Sequence, residues 1–74
     1  MNPQELDVVT LAVDLPNEGL QAGDIGTVVY LFPAPAPAYE VEFVDDDGST
    51  RAMVTLTADQ LRPYSAGDED PVAK

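Results

Sequence analysis

The sequence predicts an all-β fold, a small barrel of about five short antiparallel strands with one 3-10 or helical turn before the last strand. Short runs rich in β-branched and aromatic residues follow one another along the chain, and each is too short for a typical helix. The pair Asp47 and Gly48 separates two runs with alternating apolar residues, which is typical of a β-hairpin. A capping-box pattern lies just before Pro63, which leaves room for only one helical turn.

Length and composition restrict the chain to one small domain. At 74 residues it can bury one core and no more. It has no cysteine and no histidine, so a disulfide framework and the usual structural zinc site are both excluded. We predict a barrel over residues 1–64, followed by an acidic, flexible C-terminal tail over residues 65–74, where polar and like-charged residues dominate.

The chain carries no recognisable targeting or membrane signal. Its first residues lack the basic start and apolar run of a secretory signal. No apolar stretch reaches the roughly 18 residues that cross a bilayer. Since the absence of cysteine fits a reducing compartment, we expect a cytoplasmic protein that does not contact membranes.

The charge balance is strongly acidic, with 14 Asp and Glu against three Lys and Arg and a formal net charge of −11. Such a chain repels phosphate backbones, whose binding depends on basic side chains. We therefore expect no nucleic-acid partner. The charge either serves solubility alone or attracts a basic protein.

The first half of the chain predicts two strands separated by a long loop. Residues 6–14 are rich in β-branched residues and form the first strand. Residues 15–24 contain a proline and two glycines, which indicates an irregular loop anchored by Leu15 and Leu20. Residues 25–32 form the second strand, in which Gly26 marks a bulge or a close backbone approach. The proline-alanine run at residues 33–38 predicts a stiff, exposed connector.

The second half predicts a hairpin, a helical turn and a short last strand. We expect a two-residue type I′ turn at Asp47 and Gly48. That turn fixes a register with these pairs: Val44 with Arg51, Phe43 with Ala52, Glu42 with Met53, Val41 with Val54, Glu40 with Thr55 and Tyr39 with Leu56. In this register the apolar residues of both strands share one face. After the hairpin, residues 57–60 form the capping box, Leu61 closes the open end of the barrel, and residues 62–64 form a short final strand or edge.

This order of elements makes an SH3-like barrel the economical topology, with a meander of three or four strands that dimerises as the alternative. The chain from residue 6 to about residue 64 also resembles a family of small bacterial proteins, domain-of-unknown-function family 4926. The resemblance is carried by LDVV at 6–9, DLP at 14–16, GL at 19–20, AGDIGTVV at 22–29, YEVEF at 39–43 and DQLRP at 59–63. It implies a stand-alone SH3-like barrel, and a partner encoded nearby, such as a toxin, is one hypothesis.

No residue pattern indicates catalysis, a cofactor or a metal site. The residue types that most often act as general base or nucleophile, histidine and cysteine, are missing. An EF-hand with Gly48 at its sixth position would place Phe43 first and Val54 last, so the acidic turn does not fit that calcium motif. We predict that the protein is not an enzyme and needs no cofactor. A hydrolytic or metal-dependent enzyme with a metal site at residues 45–47 is the third hypothesis.

Apolar surface is the feature that points to a function. Both faces of the first two strands are largely hydrophobic, and a barrel buries only one of them. We predict an interaction surface on the other face, formed by Val8, Val29, Leu31, Glu40, Glu42 and Met53. The alternative is that the loop from Pro16 to Asp24 folds over these side chains.

The predicted function is therefore a non-catalytic protein-interaction module that binds another protein or itself, with a homodimer as the simplest form. The alternative is an antitoxin or immunity-type inhibitor whose acidic surface binds a basic partner enzyme. The salt dependence of binding distinguishes these two hypotheses, because binding driven by charge weakens as ionic strength rises, whereas apolar self-association does not. The sequence does not identify the partner.

Overall fold

The computed structural model describes residues 2–64. Within them the protein has five antiparallel strands in one sheet and two 3-10 turns. In chain order these are β1 (Val8–Leu11), η1 (Pro16–Glu18), β2 (Ile25–Phe32), β3 (Ala38–Val44), β4 (Thr50–Leu56), η2 (Ala58–Gln60) and β5 (Leu61–Pro63). The predicted all-β fold, with a 3-10 turn before the last strand, is confirmed. The predicted acidic tail, residues 65–74, lies outside the described residues.

The strands are ordered β4-β3-β2-β1-β5 across the sheet. Strands that follow one another in the chain pair with each other, except that β5 returns to β1, where Leu61 lies opposite Leu11. Strand β1 is shorter than the sequence predicts. It begins after Leu6, whose φ of 72° is incompatible with a strand, and it ends before Ala12, whose N–H donates to the Gln60 carbonyl at 2.8 Å.

The β3–β4 register is confirmed over five pairs, from Tyr39 opposite Leu56 to Phe43 opposite Ala52. The predicted type I′ turn is wrong. Gly48 has a φ of 89°, but Asp47 is not in the left-handed region, and the Gly48 N–H donates to the Asp45 carbonyl at 2.8 Å. This geometry is a three-residue turn that ends in a left-handed glycine.

The predicted pair of Val44 with Arg51 is also wrong, because Val44 lies opposite Thr50 and the register shifts between Phe43 and Val44. The turn is one residue longer than predicted, and β4 holds one extra residue at Arg51. The two differences offset each other, so that the rest of the ladder keeps the predicted pairs.

Strand β2 contains an irregularity that changes which of its residues point toward the core. Val28 lies opposite Val41, but the next pair is Tyr30 with Glu40, so Val29 is an extra residue in β2. Because side chains alternate along a strand, an extra residue reverses the alternation after it. Gly26, the residue that suggested a bulge or a close approach, makes the close approach: a Cβ there would lie 2.7 Å from Val41 Cγ1.

The core lies on one face of the sheet and draws on every strand. Its buried hydrophobic residues are Val9, Leu11, Leu20, Val28, Tyr39, Val41, Phe43, Leu56 and Leu61. Leu20 and Leu61 come from outside the central strands, and both are buried. Leu20 was predicted to anchor the loop to the core, and Leu61 to close the open end of the barrel. The loop is fixed by a bridge between Leu15 and Leu20. The capping box predicted at residues 57–60 is present, with the Thr57 N–H donating to Gln60 Oε1 at 2.9 Å.

Candidate protein-interaction surface

The outer face, meaning the side of the sheet that points away from the core, carries exposed large hydrophobic side chains on four strands. They are Val8, Ile25, Tyr30, Phe32, Val44 and Met53. Leu20, a leucine of the long loop, is buried in the core. Val8 and Met53 keep 45% and 49% of their surface exposed. Within the described residues, the predicted rival reading of a covered face is therefore wrong for these two side chains.

One cross-strand row brings three of the predicted surface residues together. Val8 lies opposite Thr27, Thr27 opposite Glu42, and Glu42 opposite Met53. The row crosses β1, β2, β3 and β4, and directly opposed side chains on one face of a sheet lie about 4.5–5.5 Å apart. It therefore forms a strip with an apolar residue at each end and a carboxylate between them.

The two predicted carboxylates on this face are held by threonines of the neighbouring strand. Thr50 Oγ1 donates to Glu42 Oε2 at 2.6 Å, and Thr55 Oγ1 donates to Glu40 Oε1. Both glutamates are half-buried. A hydrogen bond from a hydroxyl restricts a carboxylate to fewer rotamers, so the negative charges occupy defined positions between the apolar side chains.

Leu31 was predicted to lie on the outer face, and the structure corrects this placement. The extra residue Val29 turns Leu31 inward, where it packs against the core. Val29 itself is half-buried. Tyr30 and Phe32 occupy the outer face instead, with 53% and 38% of their surface exposed and their rings in an edge-to-face contact at 4.8 Å. Sequence reasoning missed these two aromatic residues because an unbroken apolar run has no readable alternation.

Leu6 is a second residue that the sequence reasoning missed. It precedes β1, is 73% exposed, and holds a φ of 72°, a conformation that disfavours residues with a Cβ. Its backbone N–H donates to the Val28 carbonyl at 2.7 Å. Leu6 is therefore an exposed apolar residue held in an unfavourable backbone conformation.

The acidic hairpin lies beside a second, more polar feature, an open groove of about 490 Å³. It is lined by Asp24, Ile25, Phe43, Val44, Asp45, Asp46, Asp47 and Arg51. Arg51 spans it, with Nε 2.9 Å from Asp45 Oδ1 and Nη1 3.6 Å from Asp24 Oδ2. The hydroxyl and backbone N–H of Ser49 both donate to Asp47 and hold the pKa of that carboxyl below its ordinary value. Three of the groove's carboxylates are thus engaged by contacts within the chain.

Metal and membrane features can be stated for residues 2–64 only. No group of three or more His, Cys, Asp or Glu in this part of the chain is arranged to hold a metal ion. Neither 3-10 turn, nor any other helical segment there, has the length and hydropathy of a membrane span.

Fold and surface together define a class: a small antiparallel β domain whose outer face combines exposed apolar side chains with fixed carboxylates. The chain belongs to the family described as domain of unknown function DUF4926, whose model matches residues 5–63. This confirms the resemblance inferred from the motifs. No curated protein and no solved structure matches the chain.

Proposed function

We propose that this domain is a non-catalytic protein-interaction module, built as an SH3-like barrel, that binds another protein through its outer face. The observation that carries the proposal is the strip of Val8, Thr27, Glu42 and Met53, flanked by the aromatic pair of Tyr30 and Phe32. Exposed apolar side chains that adjoin one another and are bordered by polar groups are typical of interfaces.

The composition of this face defines the partner that it suits. Tyrosine and phenylalanine supply large contact area with few rotatable bonds, and they are enriched at interface centres. Glu40 and Glu42 lie among the apolar residues and favour a partner that places lysine or arginine beside an apolar segment. Because both carboxylates are already oriented by threonines, little side-chain entropy is lost when they pair.

The second candidate is an antitoxin or immunity-type inhibitor that covers the basic surface of an enzyme. The net charge of −11 supports it, since an acidic protein is drawn to a basic active-site surface over long range. In this case the hairpin with Asp45, Asp46 and Asp47 would take part in binding as well. The family match does not distinguish the two candidates.

Capture from the lysate of the source organism tests the main proposal. The immobilised protein is compared with Tyr30→Lys, which alters the outer face, and with Gln21→Lys, which adds the same charge on an exposed loop residue. A specific partner is retained by wild type and by Gln21→Lys and is lost with Tyr30→Lys. Equal retention by both variants would refute the outer face as the binding site.

Calorimetry of the captured partner at low and high salt then separates the two candidates. Binding through the apolar face changes its dissociation constant by less than about threefold between the two conditions. An inhibitor held by charge weakens by about tenfold or more, mainly through a slower association rate.

A further inference from the structure

The two edges of the sheet differ in how they are protected against pairing. Strand β5 has three residues and contains Pro63, and shortness and proline both protect an edge, whereas each edge strand carries one arginine. Strand β4 has seven residues and contains no proline, lysine or acidic residue. Within residues 2–64, β4 forms its ladder with β3 alone, and no other backbone group bonds to it. In this part of the chain, β4 therefore presents a row of backbone donors and acceptors that have no backbone partner.

The seven residues of β4 are also complementary to themselves. An antiparallel pair with its two-fold axis at Met53 places Ala52 opposite Val54 and Arg51 opposite Thr55, each twice. Ala52 and Val54 are half-buried and pack against the core, so their pairing joins two apolar layers. Arg51 is the only charged residue of the strand, and in this register it faces a neutral threonine rather than another charge.

We propose that β4 pairs antiparallel with β4 of a second copy of this chain and joins the two five-stranded sheets into one. This inference is distinct from the outer-face proposal, because it rests on the backbone edge of β4 rather than on side chains, and the two share only Met53. The outer faces of both copies remain accessible in such a dimer.

The net charge gives this dimer a salt dependence of definite sign. Each copy carries a formal charge of −11, so the copies repel one another at low ionic strength, and salt screens that repulsion beyond about 8–10 Å. Self-association therefore strengthens as salt is added. Binding of a basic partner weakens as salt is added, so ionic strength distinguishes self-association from binding of a basic partner.

Cysteine cross-linking tests the proposed register directly. The chain has no cysteine, so Met53→Cys introduces one thiol on the two-fold axis, where opposed Cβ atoms lie about 4.5–5.5 Å apart, near disulfide range. We expect mild oxidation to convert Met53→Cys largely into a covalent dimer. Two controls stay mainly monomeric: Val8→Cys, which is similarly exposed on β1, and Thr55→Cys, which faces Arg51. Similar yields for the three variants would overturn the proposal.

Measurements on the unmodified protein provide a second test that needs no substitution in β4. In sedimentation equilibrium, the dimer dissociation constant falls by about tenfold from low to high salt. Amide exchange in residues 50–56 slows as protein concentration rises, while exchange at Leu61 and Arg62 of β5 is unchanged. A protein that stays monomeric at every concentration and salt level, or β4 protection that is independent of concentration, would overturn the inference. The variant Tyr30→Lys keeps the dimer dissociation constant within about twofold of that of Gln21→Lys, so failure of the outer-face proposal leaves this result intact.

Discussion

Gly26 in β2 lies directly opposite Phe43 in β3, and no side chain larger than hydrogen fits between them. A Cβ on Gly26 would lie 2.9 Å from Phe43 Cε1, 2.7 Å from Val41 Cγ1 and 3.0 Å from the Glu42 carbonyl oxygen. Phe43 and Val41 are both buried. The close contact between β2 and β3 at the centre of the core thus depends on the missing side chain of Gly26.

We predict that Gly26→Ala lowers the free energy of unfolding by about 1–3 kcal/mol, because the added methyl group overpacks a filled core. Urea denaturation measures the loss. Val41→Ala removes the nearest obstructing atom. The double variant should therefore lose less stability than the sum of the losses of the two single variants. The control is Gly19→Ala, which has a φ of 70° and no atom within 4 Å of the new Cβ; it is strained but should be additive with Val41→Ala. Additive losses for Gly26→Ala would contradict the packing argument.

We predict that Leu6→Asn raises the free energy of unfolding by about 1 kcal/mol, since asparagine tolerates the left-handed conformation better than leucine does. Little packing is lost, because Leu6 is 73% exposed. In a domain of this size the melting temperature should rise by about 4–8 °C. Leu6→Ala keeps the steric penalty of a Cβ and serves as the matched control, with an unchanged melting temperature. If both variants stabilise the protein equally, backbone strain at Leu6 is not the cause.

The pH dependence of the hairpin follows from Asp47. Its pKa lies below the ordinary value of 3.8, first because the Ser49 hydroxyl donates to the carboxylate and then because the Ser49 N–H does. A carboxyl with a lowered folded pKa contributes stability above its unfolded pKa, and this contribution is lost as the pH falls through the folded pKa.

We therefore predict that Ser49→Ala raises the pKa of Asp47 toward its ordinary value, whereas Ser49→Thr, which keeps a hydroxyl, leaves it lowered. Carboxyl-carbon chemical shifts followed by NMR during an acid titration report the midpoint. Equal midpoints in wild type and Ser49→Ala would mean that the hydroxyl is not the main cause.

We predict that the contact of Arg51 with Asp45 contributes only about 0.2–1 kcal/mol, because both side chains are about half exposed. A double-mutant cycle with Arg51→Met and Asp45→Asn, measured by urea denaturation, isolates this pair from the other contacts of Arg51. The coupling energy should shrink at high salt, where surface charges are screened. A coupling energy that persists undiminished at high salt would argue for a contact dominated by the Nε hydrogen bond rather than by charge.

The sequence predicted most of the hairpin because two independent signals agreed there. Alternation on both strands and the turn residues at Asp47 and Gly48 required the same pairing of Tyr39 with Leu56 and its neighbours. The turn type was not predictable, since an Asp-Gly pair also suits a three-residue turn with a left-handed glycine. The extra residue at Arg51 then restored the register that the longer turn had shifted.

The candidate surface was predictable only where polar residues interrupt the apolar ones. Glu40 and Glu42 fix the alternation of β3, and through pairing they place Val8 and Met53 on the same side. In β2 every residue from Val28 to Phe32 is apolar, so either face could be the buried one. That is why Leu31 was placed outward and the two aromatic residues were missed.

Val29 decides which side chains of β2 face outward, although it has no partner of its own in β3. If Val29 entered the ladder opposite Glu40, each later residue of β2 would move to the other face, with Leu31 toward the solvent and both aromatic rings toward the interior. Deleting Val29 would instead remove the bulge and leave Tyr30 opposite Glu40 and Leu31 opposite Tyr39. A homologous chain one residue shorter at this point would therefore offer the same side chains to a partner, on a strand with less local twist.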